Sequence, residues 1–132
     1  VHVFSRDCDA TVEWWKQALG AEVAFDGVMG GSRNVFMRIG SGRLHIYDQA
    51  PKDLAKGAVH HLGIRVSNLV QLHAHLIEMG VTFRSEIREF GSWRYIMCPA
   101  PDDILLELFE VDSEDIEPEL SAYFSDDSDF SK

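Results

Sequence analysis

The feature that most limits what this chain can fold into is that it repeats itself. "RLHIYD" (Arg43 to Asp48) matches "LLELFE" (Leu105 to Glu110) at an offset of 62, with His45 standing where Glu107 stands. Ahead of each lies a matching strand and turn, "NVFMRIGSG" (Asn34 to Gly42) and "WRYIMCPAPDD" (Trp93 to Asp103). The starts of the halves agree at an offset of 61, Asp7 and Cys8 corresponding to Asn68 and Leu69. A repeat of half a chain is one supersecondary unit used twice. One copy would leave a sheet face bare, so the two must pack as a pair.

Each half opens with helical spacing: Val12, Trp15 and Leu19 in the first, Leu69, Leu72, Leu76 and Met79 in the second. Asp7 or Asp9, and Ser67 or Asn68, are the N-cap candidates, and Gly20 and Gly80 stand where a left-handed residue would end each helix. An extended stretch follows each helix, "AEVAF" (Ala21 to Phe25) and "VTFRSEI" (Val81 to Ile87), then a turn and the two matched strands. Both halves therefore read strand, helix, strand, strand, strand. The expected organisation is one α+β domain over residues 1–111, with module one at about 1–50 and module two at about 58–111. Residues 112–132 form an acidic tail.

A chain of 132 residues buries a core without disulfide staples. Cys8 and Cys98 are its only cysteines, too few for a disulfide framework, so a reducing, cytoplasmic setting is expected. No apolar run approaches the ~20 residues that span a bilayer, and no membrane partner is expected. The net charge is −10, of which residues 111–132 carry −7. Leu120, Tyr123 and Phe124 in that tail are candidates to dock on a partner surface. Neither half shows a basic patch, which argues against nucleic acid. The chain opens on Val1 with no charged-then-apolar leader, and reads as one whose beginning has been removed.

Alternation sends successive strand side chains to opposite faces. On "HHLGIRV", His61, Gly63 and Arg65 share one face and His60, Leu62, Ile64 and Val66 the other. On "ILLELFE", Leu105, Glu107 and Phe109 share a face. Periodicity alone does not say which faces meet.

The paired modules, the "HHLGIRVSNL" opening of the second, the "PDDILLELFE" ending and the helix "ATVEWWKQALG" resemble the vicinal oxygen chelate superfamily. That group takes in glyoxalase I, fosfomycin resistance enzymes, extradiol dioxygenases and bleomycin resistance proteins. The resemblance covers about residues 1–111. It implies two tandem βαβββ modules whose curved mixed sheets form a metal-binding cleft, with ligands from the first and last strand of each module. Carried onto this chain, it points to His61 and Glu107 from module two and His45 from module one. The remaining ligand falls one residue before Val1, and His2, two positions along the same face, lines the cleft or substitutes.

Imidazole and carboxylate suit one divalent transition metal, zinc, nickel, cobalt, manganese or iron. The function so implied is a glyoxalase I-like lyase or isomerase acting on a small molecule that chelates the metal through adjacent oxygens, with Glu107 as the catalytic carboxylate. An iron(II) dioxygenase and a metal-free drug-sequestering protein are the alternatives. Phe90, Trp93, Arg94, Tyr95 and Tyr47 are the candidate substrate contacts, Arg38 a weaker one, and a homodimer is expected, with Trp14 as a possible contact. His60, His73 and His75 are assigned to structure or solvent, Trp15 and Cys98 to the core.

Overall fold

The structure is a computed structural model and describes residues 1–51, 59–112, 114–116, 118 and 121. Module one runs β1 (His2–Ser5), α1 (Cys8–Leu19), β2 (Glu22–Met29), β3 (Ser32–Ile39) and β4 (Gly42–Asp48). Module two repeats the order as β5 (Leu62–Arg65), α2 (Leu69–Glu78), β6 (Arg88–Phe90), β7 (Trp93–Pro99) and β8 (Leu105–Val111). Each module forms its own four-stranded sheet, ordered β1-β4-β3-β2 and β5-β8-β7-β6. The first strand runs parallel to the last and the others are antiparallel, so both sheets are mixed. This is the expected α+β architecture of paired βαβββ units.

The helices begin where short polar side chains replace missing helical partners. Asp7 accepts Ala10 N–H at 3.0 Å and Asn68 accepts Gln71 N–H at 3.1 Å. Gly20, at φ 66°, supplies the left-handed residue that closes α1. α1 buries Cys8, Thr11, Trp15 and Ala18. Val12 and Leu19, expected on the inner face, are only partly buried. The face is turned because Thr11 Oγ1 meets Ser5 Oγ at 2.6 Å in the interior, a polar pair invisible to apolar spacing.

On the sheets, alternation puts Val35, Met37, Leu44 and Ile46 of module one, and Ile96, Cys98, Leu106 and Leu108 of module two, into one core with both helices. Full burial of each large aliphatic contributes about 1.5–3 kcal/mol. Cys98 is fully buried, and burial pushes its thiol up to about 11. His73 packs edge-on against Phe83, and His75 Nε2 lies 2.7 Å from Gln17 O, tying α2 to α1. Trp14 packs edge-on against Trp15 and is partly buried against the core.

One strand lies later than expected. Residues 81–87 pair with no strand, and β6 covers only Arg88–Phe90. Val81, Phe83 and Ile87 instead press onto the core as an irregular segment. Their alternation records burial of one face, which a loop lying over a core satisfies as well as a strand does.

At one end the modules are joined further, where Asp102 Oδ1 accepts Arg6 N–H at 3.3 Å and its carboxylate pairs with the Arg6 side chain. At the other end a groove of about 1250 Å³ opens between the turn around Gly40–Gly42 and Arg65–Asn68, floored by Trp15, Leu72 and His75. No helix among the described residues is long and apolar enough to cross a membrane.

Candidate functional site

Each sheet turns one face to the helices and leaves the other open. On module two the open face takes Trp93, Tyr95 and Met97 from β7, Glu107 and Phe109 from β8, and Gly63 from β5, as the register requires. His61 lies one residue ahead of β5, and its Nε2 stands 3.1 Å from Glu107 Oε2. The two side chains are 32% and 20% exposed, so solvent and small ligands reach them. Gly63 is the cross-strand neighbour of Glu107, and a Cβ there would meet the Phe109 ring at 3.4 Å. The missing side chain keeps the floor beside the carboxylate clear.

His60 was expected to point away from His61. Residues 60 and 61 precede the extended strand, and their Nδ1 atoms are 2.8 Å apart. With His61 Nε2–H donating to Glu107, His61 Nδ1 accepts from His60. Were Nε2 to take a cation, the proton would sit on Nδ1 and donate to His60, the outer-shell partner a ligating histidine needs. The paired sequence "HH" was the available signal for this contact.

Two donors at right angles, each about 2.1 Å from one ion, lie about 3 Å apart. The His61–Glu107 separation fits that requirement, and nitrogen with carboxylate oxygen is a suitable pair for a borderline divalent ion.

Trp93 stacks on Phe109 at 5.3 Å, and Tyr95 stands opposite Phe109 on the same face. Arg94 does not join them. It lies on the helix side, its Nη2 donating at 3.1 Å to Glu110, because one step along β7 reverses the direction of the side chain. The side chain of Phe90 lies outside the described residues. Met97, the cross-strand neighbour of Glu107, was not anticipated.

Module one carries a different chemistry at the twin positions. His45 is stacked between Phe36 and His2, with ring centroids 4.3 Å away on either side. Its Nε2 is 2.6 Å from Asn34 Oδ1. Asn34 Nδ2 donates to the carbonyls of Met29 and Ser32, which leaves Oδ1 as the acceptor and puts the imidazole proton on Nε2. Burial, then His2 and the Val1 amino group, hold His45 below its ordinary range. The register makes His45 the twin of Glu107, and His2, its neighbour on β1, the twin of Gly63 rather than of His61. Tyr47 and Phe4 complete this face beside His2.

The four donors expected to converge thus form two pairs. Among the described residues no group of three or more histidine, cysteine, aspartate or glutamate side chains is placed to hold one ion. Each pair belongs to the open face of its own sheet. The large groove lies elsewhere, since neither His61 nor Glu107 lines it.

The fold is thus that of a two-module α+β protein of paired βαβββ units, with an imidazole–carboxylate pair on one open face. Residues 1–108 match the model of the Glyoxalase/Bleomycin resistance protein/Dioxygenase superfamily, and the chain belongs to that family. Solved structures agree on the fold. A glyoxylase/bleomycin resistance protein/dioxygenase domain from Frankia sp. EAN1pec superposes with a TM-score of 0.70 at 20% identity, over 85% of this chain and 94% of that one. The fosfomycin resistance protein FosX from Listeria monocytogenes, complexed with Mn(II) and sulfate, gives 0.67 at 17% identity, over 86% and 91%. TioX from Micromonospora sp. ML1 gives 0.64 at 15% identity, over 85% and 94%. No curated protein matches the chain significantly.

Proposed function

We propose that this protein is a metal-dependent enzyme of the lyase or isomerase type, acting on a small molecule with two adjacent oxygens. The observation that carries the reading is the 3.1 Å approach of His61 Nε2 to Glu107 Oε2 on an open, solvent-reached face. These two residues would hold a divalent ion, with His60 orienting His61. The remaining nitrogen would come from module one, for which His2 is the candidate. His45, its Nε2 committed to Asn34, serves as a wall rather than as a ligand. A bound ion would draw adjacent substrate oxygens and offset the negative charge that develops as a neighbouring proton leaves. Glu107 would be the carboxylate that takes that proton, a role supported by its second oxygen, which makes no hydrogen bond among the described residues.

Among the described residues of one chain no three such donors come together, so we place the complete cleft between module one of one copy and module two of another, in a homodimer. The Mn(II) complex of FosX, a protein of the same fold, agrees with a divalent ion on this fold. The two buried, free cysteines suit a reducing, cytoplasmic setting.

A second reading, a metal-free protein that sequesters a drug-like molecule, is favoured by the rings that fill the module-one face. Metal analysis by mass spectrometry on the purified protein separates the two. About one equivalent of divalent metal per chain, lost in His61→Ala and Glu107→Ala and reduced in His2→Ala, supports the enzyme. Iron as that metal, with oxygen uptake on a catechol, would turn the reading toward a dioxygenase. No metal after reconstitution would overturn it in favour of sequestration.

A further inference from the structure

We propose that the open face of module one is the binding wall for a planar aromatic acid, its ring set on a row of stacked side chains and its anionic group between Arg38 and Arg43. The inference names the substrate class of the cleft proposed above, and rests on that reading only for the opposing of the two faces.

The row runs across all four strands. Phe25 on β2 meets Phe36 on β3 at 5.8 Å, Phe36 meets His45 on β4 at 4.3 Å, and His45 meets His2 on β1 at 4.3 Å. The last two contacts are nearly parallel, 14° and 15° between planes, at close to the spacing of neighbouring strands. Rings stacked in that direction stand on edge. They offer a ligand their electropositive C–H rims, which prefer the face of another aromatic ring. Phe25 is 43% exposed and Phe4, beside His2, 36% exposed, so the row is not part of the core.

One step further along the same face, Arg38 and Arg43 stand directly opposite each other. Like charges in that position destabilise a sheet unless something neutralises them. Among the described residues Arg43 donates to the carbonyls of Ser41 and Gly42 alone, and Arg38 has no hydrogen-bond or ion-pair partner. Glu22, the neighbour of Arg38 on β2, forms no ion pair with it. Two guanidinium groups that form no ion pair among the described residues make a fork for a carboxylate, sulfonate or phosphate. Residues two apart on a strand are about 7 Å apart, the span from the middle of a fused bicyclic ring to its acid substituent.

The test is calorimetric titration of the full chain as purified with 2-naphthoate, and with neutral 2-naphthalenemethanol as its uncharged counterpart. Naphthoate should bind at least tenfold more tightly. Arg38→Gln with Arg43→Gln should erase that preference while leaving the alcohol unchanged, and Phe36→Leu should weaken both ligands. Arg84→Gln, which removes an exposed arginine from another surface, should change neither. Equal affinity for the two ligands, an unchanged preference in the double variant, or no naphthoate binding at millimolar concentration would overturn the inference. Metal content measured on the same samples keeps the two readings apart. Arginine-dependent naphthoate binding in a protein that takes up no metal would sink the enzyme and leave this surface standing.

Discussion

The carboxylate of Glu110 accepts the first backbone N–H of α2, from Leu69, at 3.2 Å, and the same oxygen takes Arg94 at 3.1 Å. A residue near the end of the last strand thus anchors the helix that follows the first strand of the same module. The positive end of a helix favours an anion there by about 0.3–1 kcal/mol, and a charge-assisted hydrogen bond adds to this. Glu110→Gln should therefore cost about 1 kcal/mol in urea unfolding at neutral pH. Arg94→Gln should cost less, since the arginine side chain is 42% exposed. Equal stability of wild type and Glu110→Gln would show that the contact does not hold the helix.

Trp15 is 2% exposed, and its Nε1 has no hydrogen-bond partner among the described residues. An unpaired buried donor costs about 1–3 kcal/mol, while the ring itself supplies much of the core of module one. Trp15→Phe trades lost volume against relief of that donor and should destabilise by less than about 2 kcal/mol, whereas Trp15→Ala should cost about 3–5 kcal/mol. Similar losses for the two variants would mean that the indole nitrogen is satisfied in solution.

The native state resists protonation of His45, whose ordinary value is 6.5, through burial and the neighbouring His2 and Val1 amino group. Below that value the unfolded chain takes up a proton that the folded protein does not. Stability from this source is intact above pH 6.5, falls as pH drops through it, and levels off below the native value. Melting temperatures between pH 8 and 5 should show that loss. His45→Phe, which keeps the stack, should reduce it. An unaltered pH dependence in His45→Phe would assign the titration elsewhere.

Much of this architecture is written plainly in the chain. The offset between His45 and Glu107 marks equivalent strand positions, and Asp7 and Asn68 cap the helices where short polar residues precede apolar spacing. These features are local, and local patterns survive translation into structure. What stayed hidden depends on partners distant in sequence. The loop at 81–87 reads as a strand because burial alternates there, yet no strand pairs with it. Arg94 reads as a ligand contact until Glu110 draws it to the helix side. Asn34 claims His45 from eleven residues away, which no ligand spacing foretells.

Positions 45 and 107 occupy the same place in two copies of one unit, yet one carries an imidazole pressed between rings and the other a carboxylate beside a histidine. Duplication normally yields a symmetric container. Here the twins have diverged, so in the proposed two-copy cleft even a molecule with two identical ends would meet a different wall at each. Such a slot would have polarity built into its sides, and its two orientations of entry would be distinguished from the start.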